Sequence, residues 1–310
     1  MSEPHFLSPP WSGRFGVEVY STTRLGGFSQ APFDKLNLGL HVNDDAAVVQ
    51  RNRDLLCDHL KLKQQPVWLK QVHGTKVVCA DDLVKPPRVR RLAVVAPEAQ
   101  NEAPEADASW TAQRRLPIAV LTADCLPIVL ATGAHQRFSI ERKSIAVVHA
   151  GWRGLAAGVL QNAIAALDAK PGSIAAWLGP AIGPHHFEVG LEVREEFMRN
   201  VSGLGDDCFF DTPPVSVEHD DSADDTYNSI ANNNAASSNN INTNNNPAGS
   251  EDKCYADLYA IARTILTQHD VDAVTGGNNC TYRDQELFFS YRRDGAQSGR
   301  MATVAVIRDN

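Results

Sequence analysis

Two short apolar runs in the middle of the chain limit its folding choices most. Residues 117–130 read Pro117-Ile118-Ala119-Val120-Leu121-Thr122-Ala123-Asp124-Cys125-Leu126-Pro127-Ile128-Val129-Leu130. Residues 144–148 lead into His149-Ala150-Gly151-Trp152-Arg153-Gly154. Runs this short, β-branched and almost unbroken, predict strands buried within a layered structure. A buried strand has little use for an Asp-Cys pair, or for a closing His, unless those residues carry chemistry.

The flanking sequence alternates in the same style. Strands are expected at 16–21, 67–69, 76–80, 174–178, 273–275 and 302–307. Asp44 is placed to cap a helix running to residue 60, because Ala47, Val48, Leu55 and Leu56 fall near helical spacing. Further helices are expected at 154–167, 193–201 and 258–268, the first stopped by Lys170-Pro171-Gly172. Alternating strands and helices predict one α/β domain over 1–310, a layered sandwich with a mixed sheet. Two segments interrupt it. Residues 85–106 mix Pro, Arg, Glu and Ala and read as an insertion. Residues 212–252 are acidic, then dominated by Asn and Ser. They hold too little apolar surface to offset their ordering entropy, which predicts a disordered surface insertion.

The formal net charge is -8, which argues against broad electrostatic binding of nucleic acid or an anionic membrane. No apolar stretch approaches the roughly 20 residues of a membrane helix. The start, Met1-Ser2-Glu3-Pro4-His5, lacks the basic and apolar regions of a signal peptide. The expected location is the cytoplasm. Six cysteines, at 57, 79, 125, 208, 254 and 280, include no C-x-x-C pair and are too sparse for a disulfide scaffold. These features leave the oligomeric state open.

His73, Cys125 and His149 each stand at or beside the end of an expected strand. Two imidazoles and a thiolate are a zinc set for catalytic sites, with a fourth position left for water or substrate. Gly74, Gly151 and Gly154 flank two of the three and permit sharp turns or close backbone approach. Backbone N–H groups at 151–154 would face an anion where a helix opens, and Arg153 would add a bidentate contact. The plainer alternative is a surface Arg153 beside a core Trp152. Asp124 reads either as a supporting carboxylate or general base beside Cys125, or as a buried acid hydrogen-bonded to backbone. Cys125 reads either as a metal ligand or as a nucleophile paired with His149 or His73.

A longer set of motifs runs through the chain. It comprises Thr23-Arg24-Leu25-Gly26-Gly27-Phe28-Ser29, Leu36-Asn37-Leu38-Gly39-Leu40, Asn52-Arg53, Gln71-Val72-His73-Gly74, Asp107-Ala108 and Thr122-Ala123-Asp124-Cys125-Leu126-Pro127. It continues with His149-Ala150-Gly151-Trp152-Arg153-Gly154, Leu178-Gly179-Pro180-Ala181-Ile182-Gly183, Cys280-Thr281, Phe289-Ser290-Tyr291-Arg292-Arg293-Asp294 and Gly299-Arg300-Met301-Ala302. In this order the chain resembles the YfiH-type family, also called the laccase-domain or multicopper polyphenol oxidase family. The resemblance implies an α/β sandwich and a metal site on His73, Cys125 and His149, with zinc the usual ion and copper the alternative. It also implies phosphorolysis of adenosine, inosine and methylthioadenosine, together with adenosine deamination.

On this reading the partners are a purine nucleoside and phosphate, with Arg53, Arg153, Gly151 and Gly154 as candidate phosphate contacts. Arg53 has a plainer alternative as a solvated helix residue. A zinc ion would act as a Lewis acid, with Asp124 moving the proton. Three other classes compete. They are a hydrolase editing peptidoglycan precursors through Cys125 and His149, a copper-dependent phenol oxidase, and a non-enzymatic zinc-binding or interaction protein. A multicopper centre needs many imidazoles. Of ten histidines, only His73 and His149 lie in strong motifs, which favours zinc. His185 and His186 follow Gly179-Pro180 and are either near the site or exposed.

Overall fold

The computed structural model describes residues 3–13, 16–84, 103–133, 143–214 and 252–309. The strands are β1 (Phe6–Leu7), β2 (Val17–Thr22), β3 (Val77–Cys79), β4 (Ala108–Thr111), β5 (Ile118–Thr122), β6 (Leu126–Thr132), β7 (Ile145–Ala150), β8 (Ile174–Leu178), β9 (Glu188–Gly190), β10 (Phe209–Phe210), β11 (Lys253–Ala256), β12 (Ala273–Gly276) and β13 (Met301–Ile307). The helices are α1 (Ala46–His59), α2 (Ala80–Leu83), α3 (Trp152–Ala157), α4 (Val159–Ala166), α5 (Leu191–Asn200), α6 (Leu258–Gln268) and α7 (Tyr291–Asp294).

A four-stranded sheet has the order β1-β2-β13-β5, and a six-stranded sheet has the order β12-β8-β6-β7-β4-β3. The larger one is mixed, with β12–β8 and β3–β4 parallel and its other pairs antiparallel. Side-chain alternation along the strands builds the layers. Val17, Val19, Ile118, Val120 and Ala305 of the small sheet meet Val129, Ile145, Val147 and Trp177 of the large one. The opposite face of the large sheet, through Ile128, Leu130, Val148 and Leu178, packs on α3, α4, α5 and α6. The opposite face of the small sheet, through Ala119, Leu121 and Val304, packs on Leu56 and Leu60 at the end of α1. The result is the expected layered α/β sandwich with a mixed sheet, and every residue of β5, β6, β7 and β13 is buried.

Several local expectations change in detail. The run 117–130 is two strands in two different sheets, and Ala123-Asp124-Cys125 is the crossing between them. Asp124 turns the chain at a φ of +86°. Helix α1 is capped by Asp45, whose carboxylate accepts from Ala47 N at 2.7 Å. Asp44 is occupied elsewhere, accepting from the Ser29 hydroxyl and the Asn37 amide. Residues 67–69 make only a bridging pair, Val67 with Ile118. The helix expected at 154–167 breaks into α3 and α4 at Gly158, whose φ of +102° suits glycine. Helix α6 matches its expected span, with Asp257 as N-cap.

Most of 85–106 and 212–252 lies outside the described residues. The end of the first segment belongs to the ordered sandwich. Lys70 N donates to Pro104 O at 3.0 Å, and Ala106 is fully buried. Among the described residues no helix is long and apolar enough to cross a membrane.

Candidate metal centre

Each member of the triad arrives from a different local structure. His73 follows residue 70, where the chain runs alongside Glu105, and sits in the left-handed region at φ +60°. Cys125 ends the crossing between the sheets. His149 lies within β7 rather than after it. Strand pairing sets Pro127 opposite His149, and the antiparallel ladder brings the two near each other.

The three ligand atoms all lie within 4.8 Å of one another. His73 Nε2 is 3.7 Å from Cys125 Sγ, and the two imidazoles meet edge-on with centroids 4.8 Å apart. A tetrahedral ion with metal–nitrogen and metal–sulfur bonds of about 2.0 and 2.3 Å separates such donors by about 3.6 Å. The Nε2–Sγ pair stands at that spacing, and the donor set is one that zinc takes. The expected ligands are brought together.

A residue outside the sequence-derived site holds two of them. Asp107 is fully buried. Its Oδ1 accepts from His149 Nδ1 at 2.8 Å and from His73 N at 2.9 Å. Its Oδ2 accepts from Gly74 N at 2.7 Å and Val72 N at 3.2 Å. One carboxylate thus fixes the His149 ring, leaves its Nε2 for the centre, and clamps the turn that carries His73. Burial pushes the Asp107 carboxyl up, but the His149 hydrogen bond and the backbone donors outweigh it and hold the value down. The motif Asp107-Ala108 was the available signal, but spacing alone gave it no role.

Charge couples the other two groups. Burial pushes the Cys125 thiol up, but His149 and His73 outweigh it and bring it down to about 6. Burial pushes His149 down, but the Cys125 sulfur and Asp107 outweigh it and bring it up to about 9. Both shifts favour the charged forms, a thiolate beside an imidazolium, when no metal is bound.

The glycines act through space. A Cβ at Gly151 would lie 2.7 Å from His73 Cδ2 and 3.1 Å from Cys125 Sγ. A Cβ at Gly154 would lie 2.8 Å from Gly74 O. Both let α3 press against the triad and its clamp. Arg153 is exposed and lies over the Trp152 ring at 4.4 Å.

Asp124 is a buried acid held by two hydroxyls and one backbone N–H, where the sequence offered backbone donors alone. Oδ1 accepts from the Thr281 hydroxyl at 2.6 Å, and Oδ2 accepts from the Ser290 hydroxyl and from Arg292 N at 2.6 Å. Its carbonyl accepts from Ile182 N. This knot engages both side-chain oxygens and fixes the crossing that presents Cys125.

Arg53 departs from the solvated-face alternative. It is 7% exposed, its Nε donates to Leu38 O at 3.0 Å, and its guanidinium stacks on Trp68 at 4.1 Å. Burial lowers its pKa to about 10. Arg300 flanks the same loop. Its backbone N donates to Asn37 Oδ1, its carbonyl accepts from Leu38 N, and its Cγ lies against Gly39. Burial lowers Arg300, while Cys125 and Asp124 pull it the other way. His41 is lowered by burial first, then by Arg300, Arg53 and His149. Among the described residues neither Arg53 nor Arg300 has a carboxylate ion pair. Arg53 and Arg300 thus form a positive flank near the triad, with His41 beside them held toward its neutral form.

Comparison with known proteins agrees with this architecture. A family model described as multi-copper polyphenol oxidoreductase laccase matches residues 18–212 and 212–308. A Pseudomonas aeruginosa protein named as a purine nucleoside phosphorylase is 38% identical over 98% of this chain and 99% of its own length. The Escherichia coli purine nucleoside phosphorylase YfiH is 37% identical over 96% of each chain. A crystal structure of a Neisseria meningitidis protein superposes with a TM-score of 0.73 at 33% identity, covering 99% of this chain and all of that one. YlmD of Geobacillus stearothermophilus shares the fold, with a TM-score of 0.69 at 23% identity over 100% of this chain and 98% of its own.

Proposed function

The chain belongs to the multi-copper polyphenol oxidoreductase laccase family, and from that membership we propose that it is a zinc-dependent purine nucleoside phosphorylase with adenosine deaminase activity. Adenosine, inosine and methylthioadenosine are its substrates, phosphate is the second one, and the cytoplasm is its compartment. The observation that carries the reading is the convergence of His73, Cys125 and His149, with ligand atoms within 4.8 Å, in a chain whose relatives bear the phosphorylase name.

Zinc held by these three residues would supply Lewis acidity at the substrate. The protein's own part is positioning. Asp107 orients His149 and the His73 turn, and the Asp124 knot orients Cys125. Arg53, His41 and Arg300 hold phosphate so that its oxygen meets the ribose C1′ as the bond to the purine nitrogen breaks. Arg153 and the backbone at Gly151 and Gly154 are the other candidate contacts, set on the α3 side. One converging group of His and Cys ligands among the described residues supports zinc over a multicopper centre, which needs more imidazoles.

A second reading rests on one observation, the approach of the Cys125 sulfur to a His149 ring nitrogen within 4.8 Å. That pair is a nucleophile and base for hydrolysing an acyl bond in a peptidoglycan precursor. Phosphate decides between the two. Metal-analysed protein is incubated with adenosine and inosine, with and without phosphate, beside Cys125→Ala. Hypoxanthine and ribose-1-phosphate formed from inosine only with phosphate, and lost in the variant, support the phosphorylase. No nucleoside turnover by zinc-loaded protein overturns it in favour of precursor hydrolysis.

A further inference from the structure

Next to Thr281, whose hydroxyl donates to Asp124, the structure holds a second thiol–imidazole pair. Cys280 Sγ lies 3.4 Å from His186 Nδ1. The same sulfur accepts from Gly183 N at 3.3 Å and from Arg283 N at 3.4 Å. A Cβ at Gly183 would lie 3.3 Å from both Cβ and Sγ of Cys280, so the absent side chain is what lets this backbone approach. His186 stacks on Tyr282 with ring centroids 4.6 Å apart at 23°, which holds the imidazole in place. Burial, then the neighbouring His185 and Arg283, lower the pKa of His186 and leave a neutral ring able to accept a proton.

The remaining thiols are built differently. Cys57 Sγ faces the Gln64 carbonyl and Cys208 Sγ the Asp207 carboxylate. Burial raises the pKa of Cys57, Cys79, Cys208 and Cys254. Among the described residues outside the triad, Cys280 combines a sulfur, a facing imidazole nitrogen and two backbone donors. That is a nucleophile with its base and with dipoles aimed at developing negative charge. Cys280 is 6% exposed and His186 is half-buried, which favours a small electrophile over a bulky one.

We propose that Cys280 and His186 form a second reactive site, a dyad that reduces hydrogen peroxide or a small alkyl hydroperoxide and is itself oxidised. His186 Nδ1 takes the thiol proton, and the sulfur attacks one peroxide oxygen. The S–O bond forms as the O–O bond breaks. The departing hydroxide or alkoxide takes the proton back from His186. Cys280 ends as a sulfenic acid, and the peroxide is reduced to water or alcohol.

The test uses the full-length, metal-loaded protein. It is exposed to hydrogen peroxide, quenched with catalase, and unfolded in dimedone with iodoacetamide, after which each cysteine peptide is quantified by mass spectrometry. The dimedone adduct is expected on Cys280 at about 10-fold or more the level on Cys57, Cys208 and Cys254. His186→Phe keeps a ring against Tyr282 but removes the base, and should lower the Cys280 adduct about 10-fold or more with metal content unchanged. His186→Asn is the smaller second variant, with the same expectation. A Cys280 adduct no higher than that on Cys208, or one unchanged in the folded His186 variants, overturns the proposal. Cumene hydroperoxide should label Cys280 far less than hydrogen peroxide does; equal labelling would overturn the small-peroxide assignment.

Discussion

His149 Nδ1 and Asp107 Oδ1 lie 2.8 Å apart in the fully buried heart of the site. His149 lies in β7 and Asp107 directly precedes β4, its antiparallel neighbour, and His149 N also donates to Asp107 O at 2.7 Å. The ring is therefore fixed at both its backbone and its side chain, and only Nε2 remains to meet a metal. Removing the carboxylate frees the ring and releases the His73 turn together. Asp107→Ala should weaken zinc binding about 10–100-fold, measured by competition with a chelating indicator. Unchanged affinity would mean that the sandwich alone sets the triad.

Gly151 tests the closeness of packing. The methyl group of Gly151→Ala would enter the space of His73 Cδ2 and Cys125 Sγ. We expect a folded protein by circular dichroism that retains little zinc after dialysis. Full zinc retention would show that the triad can shift by several tenths of an ångström and still bind.

The Asp124 knot makes a separate prediction. Thr281→Val removes the 2.6 Å donor to Oδ1 while keeping shape. Leaving a buried acceptor short of a partner costs about 1–3 kcal/mol. Urea denaturation of the zinc-free protein should show a loss in that range. Because the knot fixes the crossing before Cys125, zinc affinity should fall as well.

The coupled pair gives metal-free protein a pH signature. Cys125 is depressed from 9.0 to about 6, so its contribution is complete above 9 and is lost as pH falls through about 6. His149 is raised from 6.5 to about 9, so its contribution is complete below 6.5 and is lost as pH rises through about 9. Thermal stability of the metal-free protein should peak between these limits. Cys125→Ala should flatten that peak. An unaltered profile in the variant would remove the thiolate–imidazolium pair as its source.

Arg300 and Arg153 separate the two candidate phosphate contacts. If phosphate rests on the flank of Arg53, His41 and Arg300, Arg300→Met should raise the phosphate KM by about 10-fold or more, the loss of one charged hydrogen bond, with zinc content intact. Arg153→Ala, at an exposed residue over Trp152, should change it little. The reverse ranking would move phosphate to the α3 side.

The strongly patterned segments were legible in the chain. The apolar runs gave buried strands, the helical spacing at 258–268 gave α6 with its boundaries, and His73, Cys125 and His149 stood out as candidate ligands before their convergence was known. What these signals share is local chemistry: side-chain type and period survive in one dimension. The misplacements have equally local causes. Asp44 and Asp45 are equivalent cap candidates by type, and only the Ser29 and Asn37 contacts to Asp44 assign the cap to its neighbour.

By itself, then, the amino-acid sequence determined the layered α/β character and singled out the candidate donor set, because burial patterns and ligand chemistry are properties of individual residues and their spacing. Tertiary structure alone decided who supports whom. Asp107 became the clamp of two ligands, Asp124 the tie of the crossing, and Arg53 and Arg300 a positive flank. Cys280 was placed against His186 although 94 positions separate them. These roles depend on distances between segments far apart in sequence, set by strand pairing and sheet stacking, and no local pattern encodes such distances.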